Sequence, residues 1–180
     1  SDNESVSVEA DGNLQELILT EVEDGVLKIH TKENIGSAIS KKVHVSFKDI
    51  SSIVSTSGSD VYSTNTIISE RLDLKSTSGS DMKLDVNTSV LNCKSTSGSD
   101  LRLSGKTIKL IAEATSGSDI KAADLMAESS QVKATSGADI TVNTSKELTA
   151  KATSGGDVKY YGNPEKVDKS DSSSGSVRPQ

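Results

Sequence analysis

The sequence predicts an all-β fold, a single-stranded parallel β-helix (solenoid) with rungs of about 20 residues and an N-terminal β cap. Three observations predict it. A Thr-Ser-Gly-x-Asp motif followed by an apolar residue occurs six times at nearly constant spacing. Apolar and polar residues alternate on both sides of each motif glycine. Aromatic residues make up only 2% of the chain and Trp is absent, so stacked aliphatic side chains must fill the core.

The repeat is defined by its glycines, which are separated by 21, 19, 19, 20 and 18 residues. These motif glycines are Gly58, Gly79, Gly98, Gly117, Gly137 and Gly155. A degenerate seventh copy around Gly175 follows 20 residues later and lacks the aspartate. Because glycine tolerates positive φ and close backbone approach, we expect each one to form a structural corner between strands.

The alternation around each glycine identifies the inward positions. The residues three after it are Val61, Met82, Leu101, Ile120, Ile140 and Val158, and those five before it include Leu74, Cys93, Ala112, Val132 and Ala150. A period of two is the signature of a strand and does not fit a helix. Two strands per copy, meeting at a glycine corner, describe one rung that hydrogen-bonds to the next at roughly 4.8 Å. A leucine-rich repeat is excluded because its Leu-x-x-Leu-x-Leu pattern is absent.

The repeated aspartates form an outward column that can be interpreted in two ways. Its members are Asp60, Asp81, Asp100, Asp119, Asp139 and Asp157. Stacked carboxylates repel one another, so each carboxylate either caps nearby backbone N–H groups beside columns of Lys and Arg, or binds calcium. One carboxylate per rung supplies few oxygens for each ion, and the known calcium repeat has nine residues. The pattern therefore favours a structural role, with no metal and no cofactor.

The flanks of the repeat differ in character. Residues 1–50 contain three alternating segments, "ESVSVEA", "TEVEDGVLKIH" and "KKVHVSF", and the second predicts a hairpin that turns at Asp24-Gly25. We interpret this region as β structure that caps or extends the solenoid, a need of all solenoids. Residues 51–164 form the repeat β-helix. Residues 165–180 are either a degenerate last rung or a polar tail.

Few residues suggest a catalytic, metal-binding or nucleic-acid-binding role. A net charge of −6 argues against nucleic acid as a partner, and no apolar run is long enough to span a membrane. Cys93 lies on an inward column, so we expect its side chain to be buried and to pack in the core. His30 and His44 lack ligand partners at metal-binding spacing. No Gly-x-Ser-x-Gly elbow is present, so no catalytic residue is predicted.

Three motifs together resemble a known family. They are the repeated Ser-Gly-x-Asp-apolar corner, the opening "SVSVEADGNLQELILTEVEDGVLKI" and the closing "GGDVKYYGNP". The chain is similar to the putative auto-transporter adhesin head domains, typical of Bacteroides-like bacteria, from about Glu4 to Pro164. The resemblance implies a right-handed β-helix that is exported to the periplasm, the outer-membrane surface or the extracellular space. It transfers no binding residues.

Two classes of function remain. The first is a non-enzymatic adhesion or scaffolding module for an unidentified surface ligand, glycan or protein, with self-association left open. The second is a carbohydrate-active β-helix, similar to a pectin lyase or a polysaccharide hydrolase. Short rungs, the absence of Trp and the absence of a carboxylate cluster outside the aspartate column argue against the second, because a glycosidase needs two carboxylates roughly 5–10 Å apart.

Binding is expected where the rungs vary, because variable loops of solenoids carry recognition. These segments are "STNTIISE" (63–70), "KAADLMAESS" (121–130) and the N-terminal "KENIGSAISKK" (32–42). Tyr161 is the candidate ligand contact, since a tyrosine combines apolar area with a polar tip. Its neighbour Tyr160 falls on an inward column.

Overall fold

The computed structural model describes residues 3–36, 38, 40–172 and 174–180. All the secondary-structure elements in these residues are β-strands, which confirms the predicted all-β class. The chain divides into two compact units, Ser1–Asp49 and Ile50–Gln180.

The first unit contains two antiparallel pairs of strands. Strand β1 (Ser5–Ala10) pairs with β4 (Lys41–Ser46), and β2 (Ile18–Glu23) pairs with β3 (Val26–Thr31). Asp24 and Gly25 join β2 to β3 with φ of 50° and 77°. Two consecutive residues at positive φ match the right-handed twist of a hairpin. The three predicted strand segments, including this hairpin, are confirmed.

The second unit is a solenoid of parallel strands, which form a single ten-stranded sheet. In chain order they are β5 (Ser52–Ser55), β6 (Asp60–Tyr62), β7 (Ile67–Thr77), β8 (Asp81–Thr96), β9 (Asp100–Thr115), β10 (Asp119–Thr135), β11 (Asp139–Thr153), β12 (Asp157–Tyr161), β13 (Lys166–Ser172) and β14 (Ser176–Pro179). The register aligns equivalent motif residues: Asp100 lies opposite Asp81 on one side and Asp119 on the other. The predicted parallel β-solenoid is confirmed.

Each central rung is one long strand. Strands β8 to β11 have 15–17 residues and run from the aspartate of one motif to the threonine of the next. The motif corner therefore separates one rung from the next. Since successive rungs pair in parallel, the chain must turn again inside this strand. The pairing of β10 shifts register between Lys121 and Asp124 on one side and between Ala122 and Met126 on the other.

The core consists of the predicted inward columns. Met82, Leu101 and Ile120 are at most 1% exposed, and Cys93 is buried among them. Desolvation raises the pKa of the Cys93 thiol far above its ordinary value, so this side chain packs as a small hydrophobe and is not a nucleophile.

A column of buried serines lies beside the corner and had no counterpart in the sequence analysis. The residue between the motif glycine and aspartate points inward, and Ser80, Ser99 and Ser118 are fully buried. Ser99 Oγ accepts a hydrogen bond from the Thr96 N–H (3.1 Å) and donates to the Ser76 carbonyl of the preceding rung (2.9 Å). These hydroxyls bind backbone groups at the corner and tie one rung to the next.

The segment after residue 164 forms a last rung. Strand β13 pairs in parallel with β11, from Lys166 opposite Glu147 to Ser172 opposite Thr153, and β14 pairs in the same way with β12. The strands of this segment thus pair with the solenoid in parallel, as those of the preceding rungs do.

Candidate functional site

The corner glycines all lie in the left-handed region, with φ from 66° to 77°, and the serine before each one is also left-handed, with φ from 53° to 59°. The Gly98 N–H donates to the Ser116 carbonyl of the next rung (3.2 Å), and Gly58, Gly79, Gly117 and Gly137 make the equivalent contact. A Cβ placed on Gly98 would meet nothing within 4 Å. The backbone conformation, and not crowding, is what demands glycine here.

The basic column lies two residues beyond the aspartates and consists of Lys83, Arg102, Lys121, Lys159 and Arg178. Its cations pair with Asp100, Asp119 and Asp157, whereas Asp60, Asp81 and Asp139 form no ion pair within the described residues. Lys121 Nζ lies 2.9 Å from an Asp119 oxygen and 3.1 Å from an Asp100 oxygen, and its hydrogen bond to Asp119 raises the pKa of Lys121. Asp157 accepts from Ser176 Oγ (2.6 Å) and lies 3.3 Å from Arg178. One lysine therefore serves two rungs.

The prediction that these carboxylates cap the corner backbone is wrong. Within the described residues, no hydrogen bond joins any of the six carboxylates to a backbone N–H of its own corner. The reason is the buried serine, which already binds the corner N–H that an aspartate would have to reach.

The described part of the chain also contains no group of three or more His, Cys, Asp or Glu side chains arranged to hold a metal ion.

Asp139 lies where the basic column is interrupted. Thr141 takes the place that Lys121 has in the preceding rung, and no ion pair to Asp139 is found in the described residues. Burial and the neighbouring carboxylates Asp119 and Asp157 raise the pKa of Asp139 above its ordinary value. The basic column thus has a gap at this rung.

A groove crosses five rungs on a different face, where the long strands change direction. Its first rim consists of residues in mutual register, one from each of β7 to β11: Ile68, Asn87, Lys106, Met126 and Asn143. Its second rim is formed by Glu70, Ser89, Ile108, Glu128 and Ser145. Four rung spacings give the groove a length of roughly 19 Å.

The floor of the groove consists of small residues between the two rims, namely Ser69, Thr88, Thr107 and Ala127. The hydroxyls among them donate to the protein itself. Thr88 Oγ1 donates to Thr107 Oγ1 (2.9 Å), Thr107 Oγ1 to the Lys109 carbonyl (3.3 Å), and Ser69 Oγ to the Arg71 carbonyl (2.9 Å). A bound molecule would therefore meet methyl groups and no free hydroxyl donor on this floor.

The rims expose an unusual amount of apolar surface. Ile68 is 73% exposed, Met126 64% and Ile108 54%. Isolated exposed hydrophobic residues are ordinary, but three that line one groove indicate a contact surface.

Two of the predicted variable segments border this groove. Residues 63–70 supply Ile68, Ser69 and Glu70, and residues 121–130 supply Met126, Ala127 and Glu128. Within the third segment, Ser37 and Ile39 lie outside the described residues, and the segment belongs to the first unit.

Tyr161 extends the first rim. It lies opposite Asn143 in the pairing of β12 with β11 and is 40% exposed. Tyr160 lies opposite the buried Val142, on the inward column. The register therefore places the predicted ligand contact next to a groove-lining residue, a relation that only the structure reveals.

The apolar rims are not among the residues predicted from the sequence, although adjacent apolar residues in the sequence indicate them. "Ile67-Ile68" and "Leu125-Met126" each place two apolar residues side by side in an alternating strand. One member of each pair must face outward, and in both pairs it is the second: Ile67 and Leu125 are buried, whereas Ile68 and Met126 are exposed.

The two histidines contact carboxylates in separate places. His30 Nε2 is 3.6 Å from Glu21, and His44 Nε2 is 3.4 Å from Glu9. Hydrogen bonds from Ser40 and His44 and the charge of Lys42 lower the pKa of Glu9. A membrane-spanning helix is absent from the residues that the structure describes.

Comparison with solved structures supports the fold. The chain is similar to a putative adhesin from Bacteroides fragilis, with a TM-score of 0.91, 20% identity, and coverage of 99% of this chain and 83% of that chain. A putative adhesin from Parabacteroides distasonis gives a TM-score of 0.82 at 20% identity, with coverage of 100% and 85%. A second protein of that species, described as a putative lipid binding protein, gives 0.72 at 21% identity, with coverage of 100% and 86%.

No curated protein matches the chain. The family model described as "Putative auto-transporter adhesin, head GIN domain" matches residues 1–164, which is most of the sequence. The chain belongs to this putative auto-transporter adhesin head family.

Proposed function

We propose that the protein is a non-enzymatic adhesion or scaffolding module that binds a surface glycan or protein through the groove and Tyr161. The family description implies an exported or cell-surface location; the periplasm, the outer-membrane surface and the extracellular space all fit it. The observation that carries the proposal is the groove itself, with three exposed apolar side chains along its rims.

The energetics of the groove suit this role. Burying one exposed aliphatic side chain contributes about 1.5–3 kcal/mol, so Ile68, Ile108 and Met126 together could account for much of a moderate affinity. Binding costs little reorganisation because the residues of the first rim stand on paired parallel strands. A rigid surface loses little conformational entropy when a partner is bound.

The groove offers little support for the alternative of a carbohydrate-active enzyme. Its lining carboxylates are Glu70 and Glu128, and Glu128 forms an ion pair with Lys146 (2.5 Å). A glycosidase needs two carboxylates available roughly 5–10 Å apart, whereas Glu128 is engaged by the Lys146 ammonium group. The groove is better suited to binding than to hydrolysis.

A second candidate function is lipid binding, and it is favoured by the apolar character of the groove. The floor hydroxyls already donate to the protein, so an acyl chain on this floor would leave no hydroxyl donor unpaired. A solved structure of similar fold is described as a putative lipid binding protein. The groove length of roughly 19 Å would accommodate an extended acyl chain along the solenoid axis.

A binding screen with three arms tests these functions. The labelled protein is applied to a glycan array and to phosphatidylethanolamine/phosphatidylglycerol vesicles, and a reducing-sugar assay is run on polysaccharides. Adhesion predicts array signals that Ile108→Ser abolishes, without release of sugar. Lipid binding predicts vesicle binding that the same variant weakens. Released reducing sugar, or array signals unaffected by Ile108→Ser, would overturn the adhesion proposal.

A further inference from the structure

The two methionines of the chain occupy opposite environments. Met82 is 1% exposed in the solenoid core, whereas Met126 is 64% exposed on the groove rim. Oxidation of a thioether requires access of the oxidant to sulfur. We propose that Met126 is an oxidation-sensitive modification site, at which conversion to the sulfoxide makes the groove rim polar while the fold remains intact.

The chemistry is a two-electron oxygen transfer. A peroxide donates one oxygen atom to the Met126 sulfur, its O–O bond breaks, and the peroxide is reduced to water or an alcohol. The sulfur lone pair forms the new S–O bond, and methionine becomes methionine sulfoxide. The product is polar and chiral, and sulfoxide reductases return it to methionine.

The neighbours of Met126 can accommodate the sulfoxide. The register places Met126 between Lys106 of β9 and Asn143 of β11, and both side chains carry N–H donors. Among the described residues no ion pair to Lys106 is found, so its ammonium group remains available to a new acceptor. Leu125, the preceding residue, is buried whereas Met126 is 64% exposed, so the fold does not have to bury the new oxygen.

Oxidation of Met126 would change the surface of the groove and not the core. Met126 is one of the three exposed apolar side chains along the rims, and oxidation would leave Ile68 and Ile108 as the remaining two. If the groove is the contact surface proposed above, oxidation weakens contact with an apolar partner. The site itself does not depend on that function, because it follows from exposure alone.

Three measurements on the folded protein treated with hydrogen peroxide test the site. Peptide mass spectrometry should show conversion of Met126 while Met82 remains unmodified, and both should react once urea has unfolded the chain. The melting temperature should be unchanged. Retention on a hydrophobic-interaction column should decrease for the wild type, remain constant for Met126→Leu, and resemble that of the oxidised protein for untreated Met126→Gln.

Each result has a definite meaning. Equal oxidation of Met82 and Met126 in the folded state, or a Met126 that resists oxidation, would overturn the site. A fall in melting temperature on oxidation of Met126 alone, or unchanged retention of the oxidised wild type, would overturn the claim of a polarity change on an intact fold. These readouts use no binding partner, so failure of the proposed adhesion function would not alter them.

Discussion

At the scale of single residues, the aspartate column shows how a repeated charge is tolerated. Lys121 lies within 3.1 Å of both Asp100 and Asp119, which offsets the repulsion between those two stacked carboxylates. Asp139 has no such partner because Thr141 interrupts the basic column. The raised pKa of Asp139 means that its charged form is less favourable in the folded state than in the unfolded chain.

Asp139→Asn should therefore stabilise the protein at neutral pH. A carboxyl whose pKa is raised on folding favours the folded state below its unfolded pKa, and this contribution is lost as the pH rises through the folded pKa. The gain at pH 7 should be less than about 1 kcal/mol, because the group is exposed and screened. Thermal unfolding against pH measures it: the difference from wild type should vanish in acid.

The matched control for this prediction is Asp119→Asn, which removes an ion pair with Lys121 and should not stabilise. Thr141→Lys should act in the same direction as Asp139→Asn by restoring the missing cation. Destabilisation by both Asp139→Asn and Thr141→Lys would refute the account of the gap.

The aspartate column should also function without a bound ion. Lys121, Arg102 and Arg178 form ion pairs with Asp100, Asp119 and Asp157, and one carboxylate per rung provides few ligands for calcium. EDTA should leave the melting temperature unchanged, as measured by circular dichroism. An increase of several degrees on addition of calcium would instead indicate a site, because a ligand that binds only the folded state raises its stability.

At the scale of elements, the rung is a long strand that begins after a tight corner and changes direction once within itself. The corner needs two consecutive left-handed residues, a serine and a glycine. Within the long strands, the pairing of β10 shifts register and β9 contains a third kind of left-handed position, Gly105. Gly105 has φ of 104° and lies opposite Val86. A Cβ at this position would overlap the Val86 carbonyl oxygen.

Gly105→Ala should consequently cost more stability than Gly98→Ala. At Gly98 the methyl group has open space, so only the left-handed conformation is penalised, by about 1 kcal/mol. At Gly105 the same conformational penalty is joined by a backbone clash, and the total should reach about 2–4 kcal/mol. Urea unfolding of the two variants gives the comparison. Equal losses would show that the clash is relieved at no cost.

At the scale of the whole molecule, the repeat and its alternation were sufficient to predict the solenoid, because each inward column is a direct consequence of the period of two. The groove could not be predicted in the same way. Its rims bring together side chains 17–20 positions apart in sequence, such as Met126 beside Lys106, and the pairing is displaced there by register shifts. Tyr161 was identified as a contact by its chemistry, but its position next to Asn143 depends on register.

The hydrogen bonds of the corner were likewise inaccessible to pattern analysis. Alternation does not decide whether the residue after the motif glycine faces inward or outward, because this residue lies in the turn. In the structure Ser99, which follows Gly98, is buried and accepts a hydrogen bond from the Thr96 N–H. The backbone donor assigned to the aspartate was therefore already occupied. Spacing identifies which residues recur, but not which of two neighbouring polar side chains reaches a given donor.

The groove is proposed as the contact surface of the molecule. The most direct test of this role is the dissociation constant for the best-bound glycan of the array. Ile108→Ser should weaken binding by about tenfold or more, since loss of one buried aliphatic contact costs about 1.5 kcal/mol or more. The control is Val54→Ser, a 62% exposed valine outside the groove, which should bind like wild type, and both variants should melt like wild type. Undiminished binding by Ile108→Ser, together with loss of binding when Lys83, Arg102 and Lys121 are replaced, would place the contact on the basic column and contradict the account.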